Sequence, residues 1–264
     1  LRITQRTVSS LSPSNPSSKR LALTWVAVFV FVGLISYLFV TGLAYQFHWE
    51  RIWEYKNRAR LIRGWWVTLY VSLASLVIST LLGLVLMFGQ RCQFLFLRCL
   101  SRFYIELIRG TPLIVQILFG YYVIFDRLRL DNPFWAGVLI ISAFAAAYLS
   151  EIFRGGIESV PKSQIDSARA IGLSTAQTYI HVIFPQAIRQ VLPAYAGQSA
   201  SLVKDSSLLF AIAVNEFTFN ARKVNSETFS PFETFLPLAL GYLILTLPIS
   251  WVSRYLENKM AFEK

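Results

Sequence analysis

The stretch Ser163–Pro185, SQIDSARAIGLSTAQTYIHVIFP, is polar although long apolar runs flank it on both sides. Gly172 can adopt the left-handed conformation that ends a helix. Ser174 and Gln177 have the capping-box spacing that begins another, and only Leu173 lies between Gly172 and Ser174. The stretch therefore predicts two short helices that meet at a tight corner.

The composition indicates what surrounds this corner. Of 264 residues, 55% are hydrophobic and only 15% are charged, which is typical of a protein embedded in a bilayer. The net charge of +11 does not indicate nucleic-acid binding, because the basic residues are scattered between apolar runs. A DNA-reading helix-turn-helix needs Lys and Arg for the phosphates, yet Asp166 and Arg169 are the only fixed charges in the stretch.

The apolar runs predict an all-α integral membrane protein. Each is long enough to cross roughly 30 Å of hydrocarbon as a helix and too long for a barrel strand. The six predicted spans are Leu21–Tyr45, Trp65–Gly89, Tyr104–Phe125, Pro133–Phe153, Val191–Val214 and Phe232–Tyr255.

The distribution of Lys and Arg predicts a cytoplasmic amino terminus. With that orientation, fifteen basic residues fall on the inner side and nine on the outer side, and Lys204 lies within a span. The outer loop before the second span is itself basic, and its tryptophans suit an amphipathic helix on the outer surface. The predicted inner side includes the corner at Ser163–Pro185.

Signals for catalysis are missing from the sequence. There is no phosphate-binding G-x-x-x-x-G-K-[ST] and no G-x-S-x-G. His48 and His181, the only histidines, fall on opposite predicted sides, which excludes a shared zinc site. Cys92 and Cys99 lie in or beside a cytoplasmic loop and imply no disulfide. The chain is not expected to be an enzyme, to bind a cofactor or to hold a metal.

The corner resembles the EAA loop of ABC-importer permeases. It has D-S-A, then Gly172, then I-F-P ending at Pro185, with Asp166 in place of Glu and Ser167 in place of the first Ala. Five further blocks are similar to the polar amino acid uptake permeases of the histidine/glutamine type. These are GWWVTLYVSLASLVISTLLGLVL (Gly64–Leu86), FYIELIRGTPLIVQILFGYY (Phe103–Tyr122), AYLSEIFRGGIESVPKSQ (Ala147–Gln164), PQAIRQVLPAYAGQSASLVKDSSL (Pro185–Leu208) and LPLALGYLILTLPISWVSRYLE (Leu236–Glu257).

The resemblance implies a domain organisation. A permease transmembrane domain of five helices covers 64–257, with a coupling loop at about 155–190, and the helix at 21–45 is extra. The remaining segments are a disordered cytoplasmic amino terminus at 1–20, an external amphipathic loop at 46–63 and a cytoplasmic tail at 258–264.

The resemblance also implies a function. The chain would be the multi-pass permease subunit of an ATP-driven importer for polar amino acids in a bacterial inner membrane. It would form the translocation path and couple to a separate ATPase through residues 160–185. The implied partners are an ABC ATP-binding subunit that holds ATP and Mg²⁺, a second permease subunit, an extracytoplasmic solute-binding protein and membrane lipid, but no nucleic acid.

Four residues of the corner are the candidates for coupling. Asp166 and Arg169 would make polar contacts to the ATPase, Ala168 would permit its close approach, and Gly172 would form the sharp return. An intracellular loop that merely packs against the bundle is the alternative.

Two polar blocks lie at predicted cytoplasmic ends of helices. Glu106, Arg109, Thr111 and Pro112 begin the third span, and Glu151 with Arg154 ends the fourth. Each block is either part of a gate, with Pro112 as a kink, or an ordinary helical ion pair at i, i+3 spacing. The sequence leaves both interpretations open.

Lys204 and Asp205 are charged residues within the predicted fifth span. They lie about 16 Å from its start by helical rise, and a charge at that depth should face a cavity or a partner. We expect Lys204 to reach Glu151, and Asp205 to reach Arg154 or Arg189. These residues either hold the bundle together or line the path of a zwitterionic amino acid.

A secondary amino acid transporter that works without an ATPase is the competing function. Such a transporter should show an inverted repeat with broken helices in both halves, and the sequence shows none. The particular amino acid, and whether the permease pair is a homodimer or a heterodimer, do not follow from the sequence.

Overall fold

The computed structural model describes residues 18–42 and 47–261 of the chain. Most of the predicted disordered amino terminus, and the last three residues of the predicted tail, lie outside the described residues. The regular elements of the described residues are all helices, in the order α1 Ser18–Gly42, α2 Trp49–Trp53, α3 Tyr55–Arg91, α4 Leu95–Arg109, α5 Leu113–Phe119, α6 Pro133–Glu158, α7 Lys162–Ala170, α8 Thr175–Thr178, α9 Phe184–Asp205, α10 Phe217–Thr228 and α11 Pro231–Ala261.

Three short helices of other types extend these elements. A π-helical turn at Gly120–Phe125 continues α5, and a second at Tyr179–Ile183 joins α8 to α9. A 3-10 helix at Ser206–Ile212 follows α9. The all-α fold class predicted from the sequence is confirmed.

The described residues divide into two units, one within residues 1–47 and the other within residues 48–264. The described part of the first unit is mainly α1, which overlaps the predicted span Leu21–Tyr45 and has an apolar stretch at Ala22–Leu38. The second unit is the helical bundle. Within the described residues, α3, α6 and α11 are long and apolar enough to cross a membrane, and α4 with α5 and its π turn counts as one further, broken span.

The bundle packs around α3 and α6. Val71 of α3, Ile117 of α5, Ile141 of α6 and Leu202 of α9 are buried in one apolar cluster. Small residues let α3 and α6 approach closely, and Ser75 Oγ of α3 donates a hydrogen bond of 3.3 Å to the Val138 carbonyl of α6. This core holds the helix ends in fixed positions.

The structure corrects the predicted bounds of α3. We expected an external loop up to residue 63 and a span from Trp65, but one helix of 37 residues runs from Tyr55 to Arg91. Gly64 lies within this helix and does not interrupt it. Close packing at this position leaves no room for a side chain. A Cβ at this position would lie 2.9 Å from the Glu216 carbonyl oxygen.

The third predicted span, Tyr104–Phe125, is not one straight helix. The chain bends by 107° between α4 and α5. Gly110 ends α4, and Pro112 precedes α5 in an extended conformation. Pro112 cannot donate a backbone hydrogen bond and disfavours the helical conformation at Thr111, so the helix breaks here.

The fifth predicted span, Val191–Val214, is also displaced. α9 begins earlier, at Phe184, and ends at Asp205. The following residues form the tighter 3-10 helix, which ends at Ala213 with a left-handed φ of 59°. Lys204 and Asp205 therefore lie at the end of α9, roughly 30 Å from its start, and not in its middle.

Two ends of the bundle can be distinguished by their ion pairs. At the α7 end, Arg91 of α3 lies 3.7 Å from Glu158 of α6. At the α10 end, Arg60 of α3 lies 2.7 Å from Glu227 of α10. The corner belongs to the first of these ends.

Candidate functional site

The break between α4 and α5 is held together by polar side chains. Thr111 Oγ1 donates to the Leu107 carbonyl over 3.0 Å. Gln116 Nε2 of α5 reaches back to the Ile108 carbonyl at 2.8 Å and to Thr111 Oγ1 at 2.7 Å. Gln116 was not predicted as a site residue, although an amide four residues after a proline break is suited to satisfy the carbonyls left free there.

A cavity of about 780 Å³ opens beside this break at the α7 end. It contains four of the residues predicted from the two polar blocks: Glu106, Arg109, Glu151 and Arg154. Thr111 and Pro112 are adjacent in the chain but do not line it. Charged side chains from α3, α4 and α6 therefore face one another across a water-accessible space.

The charged residues of this cavity form a connected series of ion pairs. Arg154 binds both carboxylate oxygens of Glu151, over 3.1 and 2.8 Å, and also contacts Glu158 at 2.6 Å. Arg109 of α4 lies 3.6 Å from Glu151 and 5.5 Å above the Tyr148 ring. We call Arg91, Arg109, Glu151, Arg154 and Glu158 the ion-pair cluster.

The ion-pair interpretation holds for one of the two polar blocks. Glu151 and Arg154 do form the i, i+3 pair within α6. Glu106 makes no ion pair with any described residue, whereas Arg109 reaches across to α6. The cluster therefore ties α4 to α6 just before the break in the chain.

Arg91 connects the cluster to the corner. Its guanidinium lies 3.7 Å from the Glu158 carboxylate, and its Nη2 donates to the Tyr179 hydroxyl over 3.4 Å. Tyr179 begins the π-helical turn after α8. Neither Arg91 nor Tyr179 was predicted as a site residue, because the contact joins residues 88 positions apart in the chain.

The corner has the local geometry predicted from the sequence. Gly172 has a φ of 87°, in the left-handed region. Both reciprocal hydrogen bonds of the capping box between Ser174 and Gln177 are present. Gln186 of α9 donates to Gln164 of α7 over 2.5 Å, which fastens α7 to the bundle.

The four predicted coupling residues do not share one environment. Asp166 and Arg169 are exposed and make no ion pair with described residues, so both are free to contact another subunit. Ala168 is buried, and its carbonyl accepts a hydrogen bond from the Leu173 amide over 3.1 Å. Ala168 thus packs inside the corner, in place of the partner-facing position that we expected.

Lys204 and Asp205 do not make the predicted contacts. Glu151 is paired with Arg109 and Arg154, and Arg154 with Glu151 and Glu158. Lys204 is exposed, and Asp205 is partly buried at the start of the 3-10 helix. Neither forms an ion pair with a described residue, so the prediction that Lys204 reaches Glu151 and Asp205 reaches Arg154 or Arg189 is wrong.

A buried carboxylate at the α10 end was not predicted. Glu216 is fully buried at the amino terminus of α10, where its carboxylate accepts hydrogen bonds from the Thr218 amide at 2.7 Å and the Phe219 amide at 2.6 Å. The Tyr242 hydroxyl of α11 donates to it over 3.0 Å. Burial raises the pKa of Glu216 to about 7 despite these hydrogen bonds.

Further polar contacts fix α10 against its neighbours. The Phe217 amide donates to Thr68 Oγ1 of α3 over 3.0 Å. Glu227, near the other end of α10, lies 2.7 Å from Arg60 and 3.4 Å from Lys56. Its hydrogen bond from Arg60 lowers the pKa of Glu227. α10 is therefore a well-defined surface element opposite the corner.

Residues 79–262 match the family described as the binding-protein-dependent transport system inner membrane component. The chain belongs to this family. The match includes the ion-pair cluster, the corner, the pair Lys204–Asp205 and α10.

Individual relatives support the assignment of this permease. It is 35% identical over 218 residues to the glutamine transport system permease protein GlnP of Escherichia coli (strain K12), covering 81% of this chain and 98% of that protein. It is 36% identical over 208 residues to the octopine transport system permease protein OccM of Rhizobium radiobacter, covering 75% and 84%.

Solved structures agree with the fold. An amino acid ABC transporter crystallised with histidines matches with a TM-score of 0.72 and 31% identity, over 77% of this chain and 95% of that chain. The MetNI methionine ABC transporter in an inward-facing conformation matches with a TM-score of 0.64 at 18% identity, which supports the fold alone. The predicted resemblance to ABC-importer permeases is confirmed.

Proposed function

We propose that this permease carries polar amino acids into a bacterial cell, across the inner membrane, as the transmembrane subunit of an ATP-driven importer. The observation that carries the proposal is the ordered corner at the α7 end, within a chain 35% identical to a glutamine permease. An exposed rigid helix with one acidic and one basic residue, Asp166 and Arg169, suits a groove of an ATPase subunit.

In this proposal the α7 end is cytoplasmic and the α10 end faces outward, as the distribution of Lys and Arg predicts. The ATPase subunit holds ATP and Mg²⁺, and a second permease subunit completes the translocation path. An extracytoplasmic solute-binding protein delivers the amino acid to the α10 end.

The cavity at the α7 end acts as the inner gate. Arg109 belongs to α4 and Glu151 to α6, so their 3.6 Å contact joins two separate helices. Opening the gate requires these helices to separate, which breaks this contact. Arg91 gives the corner a physical connection to the gate, because it contacts Tyr179 and Glu158 together.

Lys204 and Asp205 remain candidates for the amino acid path. Both are charged residues next to the change from α9 to the 3-10 helix, and neither has an ion-pair partner among the described residues. An ammonium and a carboxylate on the substrate need opposite charges, and this adjacent pair offers both.

Reconstitution of the complete importer tests the function. The permease and the ATPase are reconstituted in vesicles with ATP inside, the solute-binding protein is added outside, and uptake of labelled glutamine, histidine and other polar amino acids is measured. Uptake should require ATP and the binding protein together. Uptake by the permease alone, driven by a proton or sodium gradient, would establish the secondary transporter instead.

The same vesicles test the orientation. A single cysteine at Ser174 should react only with reagents on the side that carries ATP, and one at Asn225 of α10 only with reagents on the opposite side. Reaction of both positions from one side would disprove the assignment of the two ends.

A further inference from the structure

The cavity at the α7 end contains polar groups that the ion-pair cluster does not use. Three further polar side chains line it: Gln90 of α3, and Arg102 and Glu106 of α4. Arg102 and Glu106 make no ion pair with a described residue, and the Gln90 amide nitrogen makes no hydrogen bond with one. The cavity therefore presents one basic group, one acidic group and one amide donor that are not paired within the described chain.

Gln90 offers a hydrogen-bond donor that no described residue accepts. The side chain is only 8% exposed, and its Nε2 is buried. Buried polar groups in folded proteins are nearly always paired, so an unpaired one points to a binding partner. The Glu151 carboxylate lies nearby, but Arg154 already binds both of its oxygens. Gln90 Nε2 is therefore available to an acceptor that enters the cavity.

The packing of α3 against α4 brings Gln90 close to Arg102. The two helices touch at Gly89 and Ser101, where a Cβ on Gly89 would collide with Ser101 Oγ. Gln90 and Arg102 are the next residues along the two helices, and both line the cavity. A carboxylate has two oxygens and can accept from a guanidinium and from an amide together. Gln90 and Arg102 are therefore suited to bind one carboxylate.

Glu106 supplies the opposite charge beside this pair of donors. It lies four residues after Arg102 on α4, so the two Cβ atoms are about 5–6 Å apart. An acidic residue that follows a basic one at this spacing is in the less favourable order for a helical ion pair, and the two side chains do not pair. A guanidinium and a carboxylate are thus neighbours that remain separate, as the carboxylate and the ammonium of an α-amino acid require.

The size and charge of the cavity favour the same ligand. Its volume of about 780 Å³ is within the range of roughly 300–1,000 Å³ that is typical of small-molecule sites. Apart from the ion-pair cluster, the lining has one guanidinium, Arg102, and one carboxylate, Glu106. A phosphate or a nucleotide would be attracted by Arg102 and repelled by Glu106. A zwitterion is attracted by both.

We propose that this cavity binds a polar amino acid in its zwitterionic form. Arg102 and Gln90 bind the carboxylate, and Glu106 binds the ammonium. The assignment rests on the proposed function, because the ligand is the transported amino acid, held at the inner gate before its release into the cytoplasm. It is a second amino acid site, separate from Lys204 and Asp205 at the far end of α9.

Protection of a cysteine from a thiol reagent tests the site. Tyr148→Cys, in a background with Cys92→Ser and Cys99→Ser, places the only cysteine in the cavity at a lining position that the proposed contacts do not use. The permease–ATPase complex is held in nanodiscs without ATP or binding protein, and a charged methanethiosulfonate is added. L-Glutamine and L-histidine, each in excess, should slow the reaction at position 148. The matched control is Ser174→Cys in the same background, where neither amino acid should change the rate.

Variants of the binding groups should change the concentration that gives half protection. Arg102→Gln and Glu106→Gln should each raise this concentration about tenfold, since each removes a charged hydrogen-bond partner of the ligand. Gln90→Leu, which removes a neutral donor, should raise it about threefold. Arg98→Gln is the matched control, because Arg98 lies one turn before Arg102 on α4 and does not line the cavity.

A ligand without the ammonium separates binding from folding. N-Acetyl-L-glutamine keeps the carboxylate of glutamine but has no ammonium. Glu106→Gln should therefore leave its half-protecting concentration unchanged, whereas Arg102→Gln should still raise it. A variant that has merely lost its fold would weaken the binding of both ligands alike.

Several results would overturn the site. These are no protection at position 148 by either amino acid, equal protection by inorganic phosphate, and an equal effect of Arg98→Gln and Arg102→Gln. Protection does not depend on transport, so the site and the proposed function fail separately. Uptake of L-glutamine or L-histidine by the vesicles without protection by it would reject the site alone, and protection without ATP-driven uptake would reject the importer alone.

Discussion

Glu151→Gln is the most direct perturbation of the proposed gate. Glutamine keeps the shape of the side chain but removes the charge that binds Arg154 and Arg109. Glu151 is 25% accessible, so its pairs are only partly screened by water. Arg154 and Glu151 both belong to α6, so only the contact between Arg109 and Glu151 stabilises the closed arrangement of α4 and α6, by about 0.2–1 kcal/mol.

The expected effect on gating follows from this energy. A change of about 0.2–1 kcal/mol shifts a two-state equilibrium by roughly 1.4- to 5-fold. If the closed gate restrains ATP hydrolysis, Glu151→Gln should raise hydrolysis in the absence of the binding protein by about that factor. It should also increase the number of ATP molecules consumed for each amino acid imported.

The assay measures phosphate release and labelled amino acid uptake in the same vesicles, at matched permease abundance. Glu106→Gln is the matched control, because Glu106 lines the same cavity but makes no ion pair with a described residue. The two variants therefore lose the same charge, and only one loses the contacts between helices. Identical ratios of ATP to amino acid in wild type, Glu151→Gln and Glu106→Gln would refute the gate.

Three further outcomes are expected. Gly172→Val should strain the corner by roughly 1–3 kcal/mol, because Gly172 has a φ of 87°. It should reduce uptake or detach the ATPase while the permease still reaches the membrane. Normal uptake would contradict the coupling assignment. Asp205→Asn should depress uptake with little loss of assembled complex if Asp205 acts on the path, whereas a lower yield of complex with normal transport per molecule would show a structural role. Because burial raises the pKa of Glu216 from 4.5 to about 7, its neutral form stabilises the α10 end at low pH, and that stability is lost as the pH rises from about 4.5 to about 7. Amide exchange at Thr218 and Phe219 should therefore accelerate over this pH range by more than the intrinsic pH dependence of exchange predicts. Glu216→Gln should remove this extra acceleration. An unchanged pH profile of exchange in Glu216→Gln would reject Glu216 as its cause.

The sequence by itself determined the features that depend on neighbouring residues. The apolar runs require helices, since a bilayer leaves no other partner for backbone hydrogen bonds. The left-handed Gly172 and the capping box at Ser174 follow from residues within a few positions of one another, and both are present. The break at Pro112 also follows from neighbouring residues, but the angle of 107° between the two helices does not.

Only the tertiary structure decided which charged residues meet. Arg91 contacts Tyr179 across 88 positions of the chain, and Glu216 accepts from Tyr242 across 26. Such pairs depend on the angle at which two helices cross and on their register. The sequence of one helix sets only the spacing of its own side chains. For the same reason Lys204 was assigned to Glu151 incorrectly. α9 begins seven residues earlier than the apolar pattern predicts, and this shift moves Lys204 to the far end of the helix, away from the cluster at the α7 end.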